Sequence, residues 1–129
     1  AELQDNPNVC VVFWNASKNV QVRASGRVIL ETKSVVAQQY WQKIAPKNRR
    51  DYSTTVAPSC RINSGDKFLP DFWQAGDLTL HNTAPAFDNF TVLVAEIDKL
   101  DCLHSHREGH QRAQFKWSDT GWDQMWVVP

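Results

Sequence analysis

The 129-residue sequence lacks most of the features that would assign it to an easy class. It has no net charge, with 14 Lys plus Arg against 14 Asp plus Glu. That balance removes the basic footprint on which sequence-nonspecific nucleic-acid binding depends, so no nucleic-acid partner is expected. No apolar run approaches the roughly 18–20 residues that span a bilayer, so no membrane partner is expected. Three cysteines at wide spacing, Cys10, Cys60 and Cys102, form no CxxC pair. An odd count without a framework predicts small buried hydrophobes or idle thiols in a reducing compartment, and with no secretory leader at the start the expected location is cytoplasmic. The dinucleotide GxGxxG, the Walker loop, HExxH and GxSxG are all missing, which excludes the readily recognised nucleotide, zinc-protease and hydrolase sites. Disorder is excluded as well, because 42% hydrophobic and 22% charged residues are ordinary globular proportions. The length suits a single domain, 1–129.

Strand signals dominate what is present. Val9 to Trp14 is a short β-branched and apolar run behind an Asn-Pro-Asn turn signal, which predicts a buried strand. Asn15 to Asn19 supplies a hairpin turn, and Val20 to Ala24 then alternates, with Val20 and Val22 on one face and Gln21 and Arg23 on the other. Gly26 interrupts this strand, which resumes to Glu31; an isolated strand glycine predicts a bulge or the close approach of another group. From Ser34 the period becomes helical. Val36, Ala37, Tyr40, Trp41 and Ile44 form one stripe, Pro46 is expected to end the helix, and the Tyr40/Trp41 pair reads as core rather than as a ligand platform.

Residues 46–72 show no clean period, which predicts a long irregular segment of the kind that binds or covers something. Its basic group Lys47, Arg49 and Arg50 reads as solvated surface, with an anion site as the alternative. Phe90 to Ile97 is the strongest strand signal, followed by a short break at Asp98-Lys99 and a continuation over Leu100 to Leu103. Gln111–Trp117 and Trp122–Val127 predict a closing hairpin across Ser118-Asp119-Thr120-Gly121. The resulting fold class is mainly β (α+β), a small antiparallel β-barrel with an accessory helix. His104 and His106 share a strand face and lie near His110, but no Cys, Asp or Glu completes a metal pattern, so no metal is expected. Of six tryptophans, Trp14, Trp41, Trp117 and Trp126 lie in segments with an apolar face and are expected in the core, while Trp73 and Trp122 are uncommitted.

In its order of elements and its local words the chain resembles the pyridoxamine 5'-phosphate oxidase-like proteins, which have an FMN-binding split barrel. Four stretches carry the resemblance: the opening from Ala1 to Val9 running into the strand that ends Phe13-Trp14; Gln21-Val22-Arg23-Ala24-Ser25-Gly26-Arg27-Val28; Tyr40-Trp41 on the following helix; and Phe90 to Asp101, His110 to Phe115 and the closing Trp126-Val127-Val128-Pro129. The resemblance implies FMN held in a cleft between two subunits of a homodimer, with the flavin supplying the redox chemistry. By position it implies flavin contacts from Gln21, from Ser59 near the cofactor phosphate, from His104 bordering the ring, and from Gln114 in the place of a family arginine, with Arg112 two residues away on the same strand face. Tyr40 and His110 match substrate-side positions.

The family strands carrying the phosphate-clamping Arg and Lys would precede Ala1. The helix residues expected after Tyr40 are replaced around Lys43 and Ile44, and the late Arg-x-His pair reads His110-Gln111-Arg112, so vitamin B6 itself is not the expected substrate. The implied function is an FMN-dependent oxidoreductase of an unidentified small substrate, with no catalytic residue assigned. A flavin-holding module without turnover is the first alternative, and a tryptophan-rich ligand-binding β module the second.

Overall fold

The computed structural model describes residues 2–63, 65 and 68–129; Ala1, at the start of the opening stretch, and positions 64, 66 and 67 of the expected irregular segment lie outside them. Five antiparallel strands form one sheet in sequence order: β1 (Asn8–Asn15), β2 (Val20–Thr32), β3 (Thr91–His104), β4 (Gln111–Ser118) and β5 (Gly121–Val127). A helical turn, α1 (Glu2–Asp5), precedes the sheet, and α2 (Val35–Gln42), α3 (Asp71–Ala75) and α4 (Leu80–Thr83) lie between β2 and β3. Among the described residues no helix is long and apolar enough to cross a membrane. The chain divides into two compact units, Ala1–Leu30 with Leu93–Pro129, and Glu31–Val92.

In the first unit the two hairpins follow the alternation in the sequence. β1 pairs with β2 from Asn8↔Arg27 to Asn15↔Val20, and β4 pairs with β5 from Arg112↔Val127 to Ser118↔Gly121. Gly26 is buried where β2 passes β3, and a Cβ built there would sit 1.9 Å from the Glu96 carbonyl oxygen. The interruption at Gly26 therefore marks close approach of another strand, and only a residue without a side chain fits.

Three sequence expectations fail in this unit. β3 runs unbroken through Asp98-Lys99, and Lys99 already pairs with Lys116 of β4 at the start of their register. β1 is not buried: Val11, Val12, Phe13 and Trp14 are 42–58% exposed. It is an edge strand bonded only to β2, so alternation selects faces that nothing among the described residues covers. For the same reason Trp14, Trp117 and Trp126 stand out from the sheet rather than in a core, and of the four tryptophans expected inside only Trp41 is buried.

The second unit has its own core. Ser34 caps α2 by accepting from the Ala37 N–H at 3.1 Å, and the helix buries Ala37 and Trp41. Trp41 packs against Tyr52, Phe87 and Phe90, with ring centroids 5.2–5.8 Å away in tilted or edge-on arrangements. Tyr40 does not share this core. It lies outside the buried stripe, half exposed, with the Lys43 ammonium 4.9 Å from its ring centroid.

Pro46 does not end α2, which stops four residues earlier; it opens a 3₁₀ helix over Pro46–Tyr52, where a missing N–H costs nothing. The segment expected to be irregular is thus partly helical, here and at α3. A second 3₁₀ helix, Ala84–Asn89, places Ala86 and Phe87 beside Trp41. Phe90 follows that turn as its cap and precedes β3 rather than opening it.

The basic group at 47–50 divides. Arg49 is 3% exposed and structural: its Nε donates to the Ile44 carbonyl at 3.0 Å, Nη2 to the Trp41 carbonyl at 3.1 Å and Nη1 to Thr83 Oγ1 at 3.3 Å. Its guanidinium carbon lies 4.4 Å from the Trp41 ring centroid. Planar donors and an aromatic face suit a guanidinium better than an ammonium. Lys47 and Arg50 remain exposed.

Candidate functional site

The strand register of the first unit brings side chains of distant sequence onto one face. Asp101 pairs with Gln114 and Leu103 with Arg112 across β3 and β4, so these four side chains share a face by the two-residue period. Gln21 and Arg23 share a face of β2 by the same rule. Gln21, Arg23, Asp101, Leu103, His110, Arg112 and Pro129 line a cavity of about 220 Å³.

Asp101 is the hub of this cavity. Its Oδ1 accepts from Arg112 Nε at 2.9 Å, and its Oδ2 accepts from Arg112 Nη2 at 2.6 Å and from Gln114 Nε2 at 3.2 Å. The fork-on-carboxylate geometry is the strong, directional form of an ion pair. The hydrogen bond from Arg112 is the main reason the Asp101 carboxyl titrates below its ordinary range, with the Gln114 bond and the charges of Arg112 and Arg23 adding to it against a burial cost. The same contact pushes the Arg112 guanidinium further toward its charged form. Next along the strand, on the opposite face, the Cys102 thiol is pushed up by burial and by the neighbouring Asp101 charge.

Of the residues singled out from the sequence, the structure gathers Gln21, His110 and Arg112 around the cavity, and Gln114 joins them through Asp101. His104 lies on the face of β3 opposite Asp101, paired with Gln111. Ser59 and Tyr40 belong to the second unit, where Ser59 is exposed with a left-handed backbone (φ 64°). The rings of His104 and His106 are 6.1 Å apart, and among the described residues no three His, Cys, Asp or Glu side chains gather closely enough to hold a metal ion. Cys10 and Cys60 are exposed and Cys102 half-buried, all three as free thiols.

Sequence reasoning missed Asp101. Its signal was present: an acid two residues before Leu103 in an apolar strand, with the spacing that sets it across from Gln114 and diagonal to Arg112. A separate hollow in the same unit is lined by Arg27, Glu96, Ile97, Asp98, Trp117 and Trp122, the two indoles meeting edge-on at 5.5 Å.

No family model matches the sequence, and no curated protein matches it. Solved structures do match. A pyridoxamine 5'-phosphate oxidase-related, FMN-binding protein from Nostoc punctiforme superposes with a TM-score of 0.68 at 18% identity, over 98% of this chain and 66% of that one. PhzG from Burkholderia lata, solved in complex with tetrahydrophenazine-1-carboxylic acid, superposes with a TM-score of 0.67 at 11% identity, over 99% of this chain and 62% of that one. The chain thus spans just under two thirds of the length of either neighbour. At these identities the likeness speaks for the fold, and it is the fold that the strand order and local motifs implied: the chain has the small split-barrel-type fold of a pyridoxamine 5'-phosphate oxidase-related protein.

Proposed function

We propose that this chain, residues 1–129 acting as one functional domain, is an FMN-binding flavoprotein and an oxidoreductase of a small substrate, working as a cytoplasmic homodimer. The observation that carries the reading is the convergence of Gln21, Arg23 and Arg112 on one cavity, in a chain whose fold neighbour is described as FMN-binding.

The donor set fits a flavin. The polar edge of the ring presents carbonyl oxygens and a ring N–H, and an amide such as Gln21 can both donate to and accept from such an edge. The guanidinium of Arg112 keeps N–H groups beyond the two that Asp101 engages, and these can donate as well. The sheet fixes the direction of each side chain, which is how a protein orients a cofactor that supplies the hydride or electron transfer itself.

Size argues for a second copy. The cavity of about 220 Å³ is by itself smaller than the ~300–1,000 Å³ of usual small-molecule sites, and it shares His110, Arg112 and Pro129 with an open hollow of about 450 Å³ that a second copy could cover. Large apolar side chains are exposed along both outer strands of the sheet, Val12, Phe13 and Trp14 on β1 and Met125 and Trp126 on β5. Apolar residues grouped in this way are characteristic of surfaces that meet a partner.

The test is purification of the complete gene product. The expected protein is yellow, elutes as a dimer, and loses about tenfold in FMN affinity when Gln21→Ala removes one amide from the ring edge. A colourless protein that ignores added FMN refutes the proposal. Flavin held tightly without turnover of reductant and acceptor would assign the chain to the non-catalytic alternative.

A further inference from the structure

The polar groups around the cavity are unequally committed. Asp101 has both oxygens engaged, by Arg112 and Gln114, and its side chain is only 15% exposed. Gln21 and Arg23 make no side-chain hydrogen bond among the described residues. What faces a ligand is therefore the guanidinium donors and the Gln21 amide, which both donates and accepts, while the one carboxylate is closed off. Apart from His110, the lining side chains carry two guanidiniums, Arg23 and Arg112, against the one carboxylate of Asp101. A phosphate dianion calls for paired, uncommitted cations, and here one fork is already filled and a negative charge stands in contact with it.

We propose that Asp101 is the specificity-determining residue of this cavity: by closing the inner fork of Arg112 and anchoring Gln114, it makes the cavity select an uncharged, acceptor-bearing ring edge over a phosphate group. The proposal rests on the reading that the cavity receives part of a flavin, and it assigns the ring, not the phosphate end, to this side of the protomer.

The test compares two probes on the full chain and its Asp101→Asn variant, a substitution that keeps the shape of the side chain and removes its charge. Riboflavin, which has the ring and no phosphate, is titrated by fluorescence; inorganic pyrophosphate is titrated by ³¹P line broadening. Asp101→Asn is expected to weaken riboflavin about tenfold, the scale of one charge-assisted hydrogen bond, and to tighten pyrophosphate by a similar factor. Asp101→Glu restores the original order, and adding Arg112→Gln to the Asn variant abolishes the gain in pyrophosphate binding.

Opposite movement of the two ligands is a signature that general loosening of the fold does not produce. Affinities that move together, or do not move, overturn the proposal. So does an unsubstituted chain that binds pyrophosphate as tightly as riboflavin, a comparison that needs no variant to fold. If the unsubstituted chain binds no flavin, the functional reading fails, while the pyrophosphate gain in Asp101→Asn still decides the role of the charge.

Discussion

Replacing Arg49 by Met isolates what a buried guanidinium contributes to the second unit. Methionine retains much of the apolar stem and removes every donor. The Ile44 carbonyl then loses the Arg49 Nε bond, its one partner among the described hydrogen bonds, and because Ile44 is only partly buried the orphaned acceptor costs toward the low end of about 1–3 kcal/mol. The other two acceptors suffer less. The Trp41 carbonyl still accepts from the Ile44 N–H at 3.0 Å, and the Thr83 hydroxyl still donates to the Thr79 carbonyl at 2.8 Å. Loss of the guanidinium over the Trp41 ring adds about 1 kcal/mol. Against these stands the cost of burying a charge, visible in the lowered pKa of Arg49, which the substitution returns in part. The net expectation is a loss of about 2 kcal/mol, read as a lower urea midpoint at unchanged slope by far-UV circular dichroism. Arg49→Lys keeps the charge but not the planar fork, so it should cost about as much. If Arg49→Met shifts stability by less than about 0.5 kcal/mol, or Arg49→Lys matches the natural chain, the account of Arg49 as an organiser of the Trp41 core is wrong.

Gly26→Ala places a methyl 1.9 Å from the Glu96 carbonyl oxygen, closer than any real contact, so β2 and β3 must part; a loss of at least about 2 kcal/mol by chemical denaturation is expected, and a neutral result would mean the strands have room to spare. Cys102, with its thiol pushed up by burial and by Asp101, holds less thiolate at pH 7.5 than an unperturbed cysteine; mass-resolved alkylation should label it last, after exposed Cys10 and Cys60. The Asp101 carboxyl titrates lower in the folded chain than in the unfolded one, so its contribution to stability is complete above the unfolded value of about 3.9 and fades as pH falls through the folded value. The stability gap between the natural chain and Asp101→Asn should therefore be constant from about pH 5 upward and close in stronger acid; a gap that widens below pH 4 contradicts the assignment.

Much of the architecture was legible in the order of residues because it depends on near neighbours. Alternation in Val20 to Ala24, the turn chemistry at Asn15–Asn19 and Ser118–Gly121, and the helical period after Ser34 are local signals, and each became the expected strand, turn or helix, though α2 stops at Gln42 and Tyr40 leaves the buried stripe. So did the close approach at Gly26, since a lone strand glycine has few other uses. Gln21, His110 and Arg112 could be singled out for the same reason: each sits at a definite place in a recognisable local word.

Tertiary structure alone decided which faces are covered. Alternation says that Trp14, Trp117 and Trp126 point to one side of a strand, but whether another layer packs there depends on residues far away, and among the described residues none does. The 3₁₀ helices at 46–52 and 84–89 have no strong period of their own and become visible only as the frame around Trp41. Arg49 looked like one of three surface cations until the fold placed two carbonyls, a hydroxyl and an indole around it. Asp101 is the clearest case. Its role comes from a register that sets β3 against β4, a long-range pairing that no local pattern encodes, and that pairing converts an unremarked acid into the group that governs the charge of the cavity.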